Sequence, residues 1–242
     1  MKTLKIIAHL LAYPGEDLYA ALPELAAALS AEDNLRPVYR DGLLDLIREL
    51  QAQPLGQLQE RYVGLFDRGR HLSLHLFEHV HGESRDRGQA MVDLMEHYSR
   101  SGYDLDAKEL PDYIPLFLEY LSTQPEAEIT EMLADAMPVL VLLGARLQEK
   151  ESSYASLFHA LEDLGGSCEE ARAMREQAAT EGPDEAITNM DAIWEEEQVT
   201  FMANNDPAGG GGCSSQAAPA MPSDEMPIRW VDGAAATPAR SR

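Results

Sequence analysis

Apolar residues recur at helical spacing along almost the whole chain, and no convincing run alternates with a period of two. Leu4, Ile7, Ala8 and Leu11 stand at i, i+3, i+4 and i+7, and Pro14-Gly15 stops that stripe. Leu18, Leu22, Leu25 and Leu29 make a second stripe with a kink expected at Pro23, and Leu43, Leu46, Ile47 and Leu50 make a third. Leu55, Leu58, Tyr62 and Leu65 follow behind Pro54; Met91, Leu94, Met95 and Tyr98 run on to a stop at Gly102. Ile114, Phe117, Leu118 and Leu121 predict another helix, with Pro111 near its first position. The stretch Ile129 to Leu147 reads as the central buried element, kinked or divided at Pro138. Tyr154, Leu157, Phe158 and Leu161 add a helix ended by Gly165-Gly166, and Ile187, Met190, Trp194 and Phe201 suggest a last one. The pattern predicts an all-α fold, one helical-bundle domain of nine or ten helices over residues 1–205.

From 206 to 242 the chain turns rich in Gly, Pro, Ser and Ala with no repeating apolar face, which predicts a disordered tail. Its Ile228, Arg229, Trp230 and Val231 read as a lone apolar patch, with a short docking element as the alternative.

Charge narrows the function. With 242 residues and 45% hydrophobic content the chain buries a core without staples, and a net charge of -23 argues against binding a phosphate backbone while suiting a basic partner. Cys168 and Cys213 are too few for a disulfide framework, so a cytoplasmic location is expected. No window has the eighteen or so apolar residues of a membrane span, and the first apolar run, interrupted by His9, reads as a helix rather than a secretion signal.

One segment breaks the acidic trend by crowding His71, His75, His79 and His81 together with Arg68, Arg70, Arg85 and Arg87. On a continuous helix His71, His75 and His79 would form a stripe at i, i+4 and i+8, and imidazoles one turn apart share metals, so a metal-dependent hydrolase or oxidase is the enzymatic alternative. HExxH is absent and a single ExxH, Glu78 to His81, falls short of a di-iron pattern; a solvated polar helix face is the favoured reading. No serine sits in a G-x-S-x-G turn and no glycines form a phosphate loop, so the residues favour a binding protein over an enzyme. A helical adaptor for some other basic peptide is a third, plainer possibility.

The run Tyr62-Val63-Gly64-Leu65-Phe66-Asp67-Arg68-Gly69-Arg70, continued by Leu76 to Met91 (LFEHVHGESRDRGQAM), closely resembles the signature of the nitrate reductase molybdenum cofactor assembly chaperones, the delta-subunit family. Glu109 to Leu121 (ELPDYIPLFLEYL) resembles its second motif and Trp194 to Val199 a third, so that the resemblance covers about residues 1–203. The wider class of redox-enzyme maturation chaperones carries Pro-Asp-His where this chain has Pro111-Asp112-Tyr113, which puts in doubt any role needing an imidazole at that place.

The resemblance implies an all-helical chaperone, not an enzyme, that binds the apo catalytic alpha subunit of a respiratory nitrate reductase, including its N-terminal segment. It implies that the chaperone holds this client for molybdenum cofactor insertion and correct membrane attachment, binding no cofactor stably itself. It leaves room for contact with the molybdenum cofactor biosynthesis machinery. Candidate client-binding residues are Tyr62, Phe66, Asp67, His79, His81, Glu83, Arg85, Asp86 and Arg87 from the first motif and Pro111, Asp112, Tyr113 and Glu119 from the second. Packing competes for Tyr62 and Phe66, and an acidic residue at a helix start for Asp112. Unperturbed imidazoles change charge near physiological pH, so a protonation-dependent grip by His79 and His81 is a further expectation.

Overall fold

The computed structural model describes residues 1–81, 85–105, 109–166, 168–184 and 187–188. Ten α-helices run through them: α1 (Lys2–Leu11), α2 (Glu16–Ser30), α3 (Pro37–Gln51), α4 (Leu55–Tyr62), α5 (Leu76–His81), α6 (Arg85–Arg100), α7 (Ile114–Ser122), α8 (Glu126–Glu149), α9 (Ala155–Gly165) and α10 (Ala171–Thr180). A π-helical turn, Val63–Asp67, continues α4. Among the described residues there is no strand, only an isolated antiparallel bridge between His75 and Tyr113. The expected all-α architecture is what forms. Residues 1–198 group as one unit; most of the suggested last helix and the Ile228–Val231 patch lie outside the described residues.

Long α8 is the axis of the core. Val139, Leu140, Val141, Leu142, Leu143 and Gly144 are consecutive buried residues, so the helix is apolar on every side there and must be surrounded. It packs on α9 and α10, while α1 lies on α7 and α3 on α2 and α9. At Gly144 an added Cβ would come within 2.8 Å of Phe158 Cβ, so the close approach of α8 and α9 depends on that glycine. Pro138 neither divides nor ends α8, nor does Pro23 end α2. A proline forfeits one hydrogen bond, and the apolar burial on either side outweighs that loss.

Punctuation follows local chemistry at most ends. Gly102 and Gly166, both at φ 82°, terminate α6 and α9 in a conformation that other residues resist. Two readings shift. Helix α7 begins at Ile114 with Pro115, not Pro111, in its first turn. On α6, of the stripe Met91, Leu94, Met95 and Tyr98, only Tyr98 is fully buried; Leu94 packs against the core while partly covered, and Met95 and Val92 face outward.

Candidate functional site

Helix α4 delivers Tyr62 into the core, where its hydroxyl donates to the Leu11 carbonyl at 2.9 Å. The π turn that follows widens the spiral and sets Phe66 against Tyr62, ring centroids 4.9 Å apart, with Tyr154 beyond Phe66 at 5.3 Å. Tyr13 meets Tyr62 edge-on at 5.5 Å from the solvent side. The Tyr62 proton is committed to Leu11, so the 3.3 Å contact between Tyr62 and Tyr113 hydroxyls uses the Tyr113 proton. Burial raises the pKa of both phenols, with Asp67 adding to each, and they stay neutral donors.

The loop from Arg68 to His75 is fixed from two sides. On one side it is sewn to the second motif. Leu76 N–H donates to the Asp112 carbonyl at 3.0 Å and Ile114 N–H to the Leu74 carbonyl at 2.8 Å. The Asp112 carboxylate, fully buried, accepts the Phe77 N–H at 3.0 Å and stands 3.3 Å from His75 Nδ1. Pro111 presents its carbonyl to the Tyr98 hydroxyl at 2.9 Å.

On the other side stands Arg146 of α8. Its guanidinium donates to both carboxylate oxygens of Glu181, at 2.7 and 2.6 Å, and through Nη1 to the His71 carbonyl at 2.6 Å. The same nitrogen is 3.3 Å from His79 Nδ1, and arginine only donates, so Nδ1 is the acceptor and Nε2–H donates to the Ser73 carbonyl at 2.8 Å. Burial lowers the His79 pKa, with Arg146 adding to it and the Ser73 bond opposing. The Arg146 bond lowers that of Glu181. Asp184 accepts the His71 N–H at 2.8 Å, passing so close to Gly69 that a side chain there would meet its carboxylate.

These elements enclose a cleft of about 700 Å³, walled by Tyr13, Tyr62, Phe66 and Tyr113, floored by the Arg68–His75 loop and edged by Asp67, Glu78 and Glu109. Helix α5 is its far wall, and the opposite face of α5 lines a second recess of about 200 Å³, an apolar groove of Leu76, Phe77, Val80, Leu94, Phe117 and Val139 with Asp135 at its side. One short helix thus separates an aromatic, charged cleft from an apolar groove. Val80 remains 59% exposed, open to a partner.

Of the residues singled out in the sequence, Tyr62, Phe66, Asp67 and Tyr113 converge on the cleft. Asp112 and Pro111 are buried behind it and hold it together, Asp112 being no simple acid at a helix start. Arg87 reaches the edge residue Glu78 at 3.1 Å. His79 braces the loop, and His81 packs beside Phe77, centroids 5.7 Å apart. Arg85 and Asp86 are exposed at the start of α6, Glu119 faces Lys5 of α1 at 3.9 Å, and Glu83 lies outside the described residues. Neither Arg85, Asp86 nor Glu119 lines the cleft.

The histidine stripe does not form. Helix α5 starts at Leu76, so His71 and His75 sit in the loop, turned to different partners, and His79 alone is helical. Among the described residues no three His, Cys, Asp or Glu side chains come together as metal ligands. Tyr13, Glu109, Arg146 and Glu181 were not singled out in the sequence. Only Glu109, which opens the second motif, carried a local signal; the others take part through contacts distant in the chain.

The family model described as nitrate reductase delta subunit matches residues 15–160. The nitrate reductase molybdenum cofactor assembly chaperone NarJ of Escherichia coli K12 is 44% identical over 217 residues, 90% of this chain and 89% of that protein. The probable chaperone NarW of the same organism is 44% identical over 207 residues, 85% of this chain and 86% of its own length. The probable NarJ of Bacillus subtilis is 31% identical over 167 residues, 67% of this chain and 90% of that one.

Proposed function

The chain belongs to the nitrate reductase delta subunit family, and from that premise we propose that it is a molybdenum cofactor assembly chaperone for a nitrate reductase, not an enzyme. The membership agrees with what the motifs implied. Its client is the apo catalytic subunit, held through its N-terminal segment until the cofactor is inserted and membrane attachment can proceed. The cofactor is the client's cargo, and contact with the machinery that makes it belongs to the same reading. The protein works in the cytoplasm; no helix among its described residues is long and apolar enough to cross a membrane.

The observation that carries this reading is the convergence of both motifs on one cleft, with Tyr62, Phe66 and Asp67 from the first and Tyr113 from the second. An amphipathic client segment lays apolar side chains against aromatic walls and meets Asp67 and Glu109 with basic ones. Rim ion pairs contribute about 0–1 kcal/mol each, so the rings supply most of the affinity. A releasable client fits a dissociation constant around micromolar or somewhat tighter, about -8 kcal/mol or more. The enzymatic alternative loses its ground with the dispersal of the histidine stripe.

Titration calorimetry with a peptide from the N-terminus of the cognate catalytic subunit, at two salt concentrations and against a scrambled control, tests the proposal. Saturable binding that prefers the native peptide is expected. Failure of both peptide and intact apo-subunit to bind would overturn it.

A further inference from the structure

We propose that Arg146, outside every motif, is the positioning residue of the client cleft, acting with Glu181 and Asp184 as a strap that fixes the cleft's floor. The inference rests on the client-binding role assigned to that cleft. Arg146 is not among the lining residues, yet it takes hold of the lining from behind. Its side chain is 10% exposed, and its bonds join three parts of the chain: α8, the 68–75 loop with α5, and the segment after α10. Both backbone polar groups of His71 are engaged there, the carbonyl by Arg146 and the N–H by Asp184. Arg68, Gly69 and Arg70 precede His71 directly, while Ser73, Leu74 and His75 follow it closely, and all six line the cleft.

A loop of that length has no regular hydrogen-bond ladder of its own, so its shape is set by whatever holds its middle. The two bonds at His71 are charge-assisted, and Arg146 is itself aimed by its bidentate bond to Glu181, of the kind that fixes direction as well as distance. The antiparallel bridge between His75 and Tyr113, closed by the Leu76 and Ile114 amides, fixes only the loop's far end. Loss of the strap lets the floor drift while the aromatic walls stay seated in the core, and the client then binds to a cleft of the wrong shape.

The test uses the full chain with Arg146→Gln, Asp184→Ala, the double substitution, Arg146→Lys, and Ile47→Val in α3 as a remote core control. Client-peptide affinity is measured well below each melting temperature, beside amide exchange at Leu76 and Ile114. Arg146→Gln and Asp184→Ala should each weaken binding about tenfold and speed exchange at both amides. Their double substitution should cost little more than either, since both act through His71. Arg146→Lys keeps the charge without the fork and should fall between. Ile47→Val should lower the melting temperature and leave affinity alone.

Unchanged affinity in Arg146→Gln and Asp184→Ala overturns the proposal, as does a loss that merely follows melting temperature and recurs in Ile47→Val. A wild-type protein that binds no client would count against the functional reading, and the exchange arm would still decide the strap: undiminished protection at Leu76 and Ile114 overturns it.

Discussion

Asp112, with none of its surface exposed, accepts the backbone N–H of Phe77 at 3.0 Å and thereby seats the first turn of α5. The two sequence motifs are joined by this carboxylate. Replacing it with alanine orphans a buried N–H and removes a charge-assisted bond, a loss of about 2–3 kcal/mol. Urea unfolding of Asp112→Ala should show a lower midpoint with an unchanged slope. Asp112→Asn, which retains an acceptor oxygen, should lose less.

Acid should act through the histidines. Burial, reinforced by Arg146, lowers the His79 pKa below its ordinary value near 6.5, and burial lowers His159 likewise. Between about pH 7 and 5 the unfolded chain therefore takes up protons that the folded one refuses, so stability falls as pH falls through that window. His79→Gln should flatten part of the slope in thermal melts from pH 7.5 to 5, His159 keeping the rest. Substituting His79 should also flatten the pH dependence of client binding; an unaltered dependence would remove it from the grip.

Two helix glycines should respond in opposite directions to alanine. At Gly144 the new Cβ would press on Phe158 Cβ at 2.8 Å, on a rigid part of that side chain, and overpacking of this kind costs about 1–3 kcal/mol. At Gly42 in α3 the nearest atom, Ser156 Cβ, is at 3.6 Å, an ordinary contact, and the stiffer unfolded chain gives a gain of about 0.4–1 kcal/mol. Melting temperatures of the two variants should lie on either side of the parent.

Tyr13 separates binding from folding. It is 48% exposed and forms an outer wall of the cleft. Tyr13→Ala should leave the melting temperature within a few degrees of the parent while weakening the client peptide by about 1–2 kcal/mol in calorimetry, in the range of an aromatic anchor. Equal affinity would place the client elsewhere.

The helices were legible because their signals are local: apolar spacing on α1 and α3, Pro54 before α4, Gly102 after α6. Burial of α6 was not, because a stripe such as Met91, Leu94 and Met95 reports that a helix has an apolar face and says nothing of whether another element covers it. His71, His75 and His79 share a spacing that suits a helix, but no apolar face runs beneath His71 to hold one, and the backbone there is spent on Asp184 and Arg146 instead. Tyr62, Phe66, Asp67 and Tyr113 could be named because they stand in motifs. Tyr13 and Arg146 stand far away in sequence and reach the site only through tertiary packing, which no window of residues contains.

The bond between His71 and Asp184 joins residues 113 positions apart. A ribosome adding about 5–20 residues per second places Asp184 roughly 6–23 seconds after His71. Late in that interval the rings of the cleft, Tyr113 included, and Arg146 have been synthesised, but the floor still lacks the Asp184 fastening. With the strap proposed above, a copy still short of Asp184 is expected to hold clients less well than one that has it.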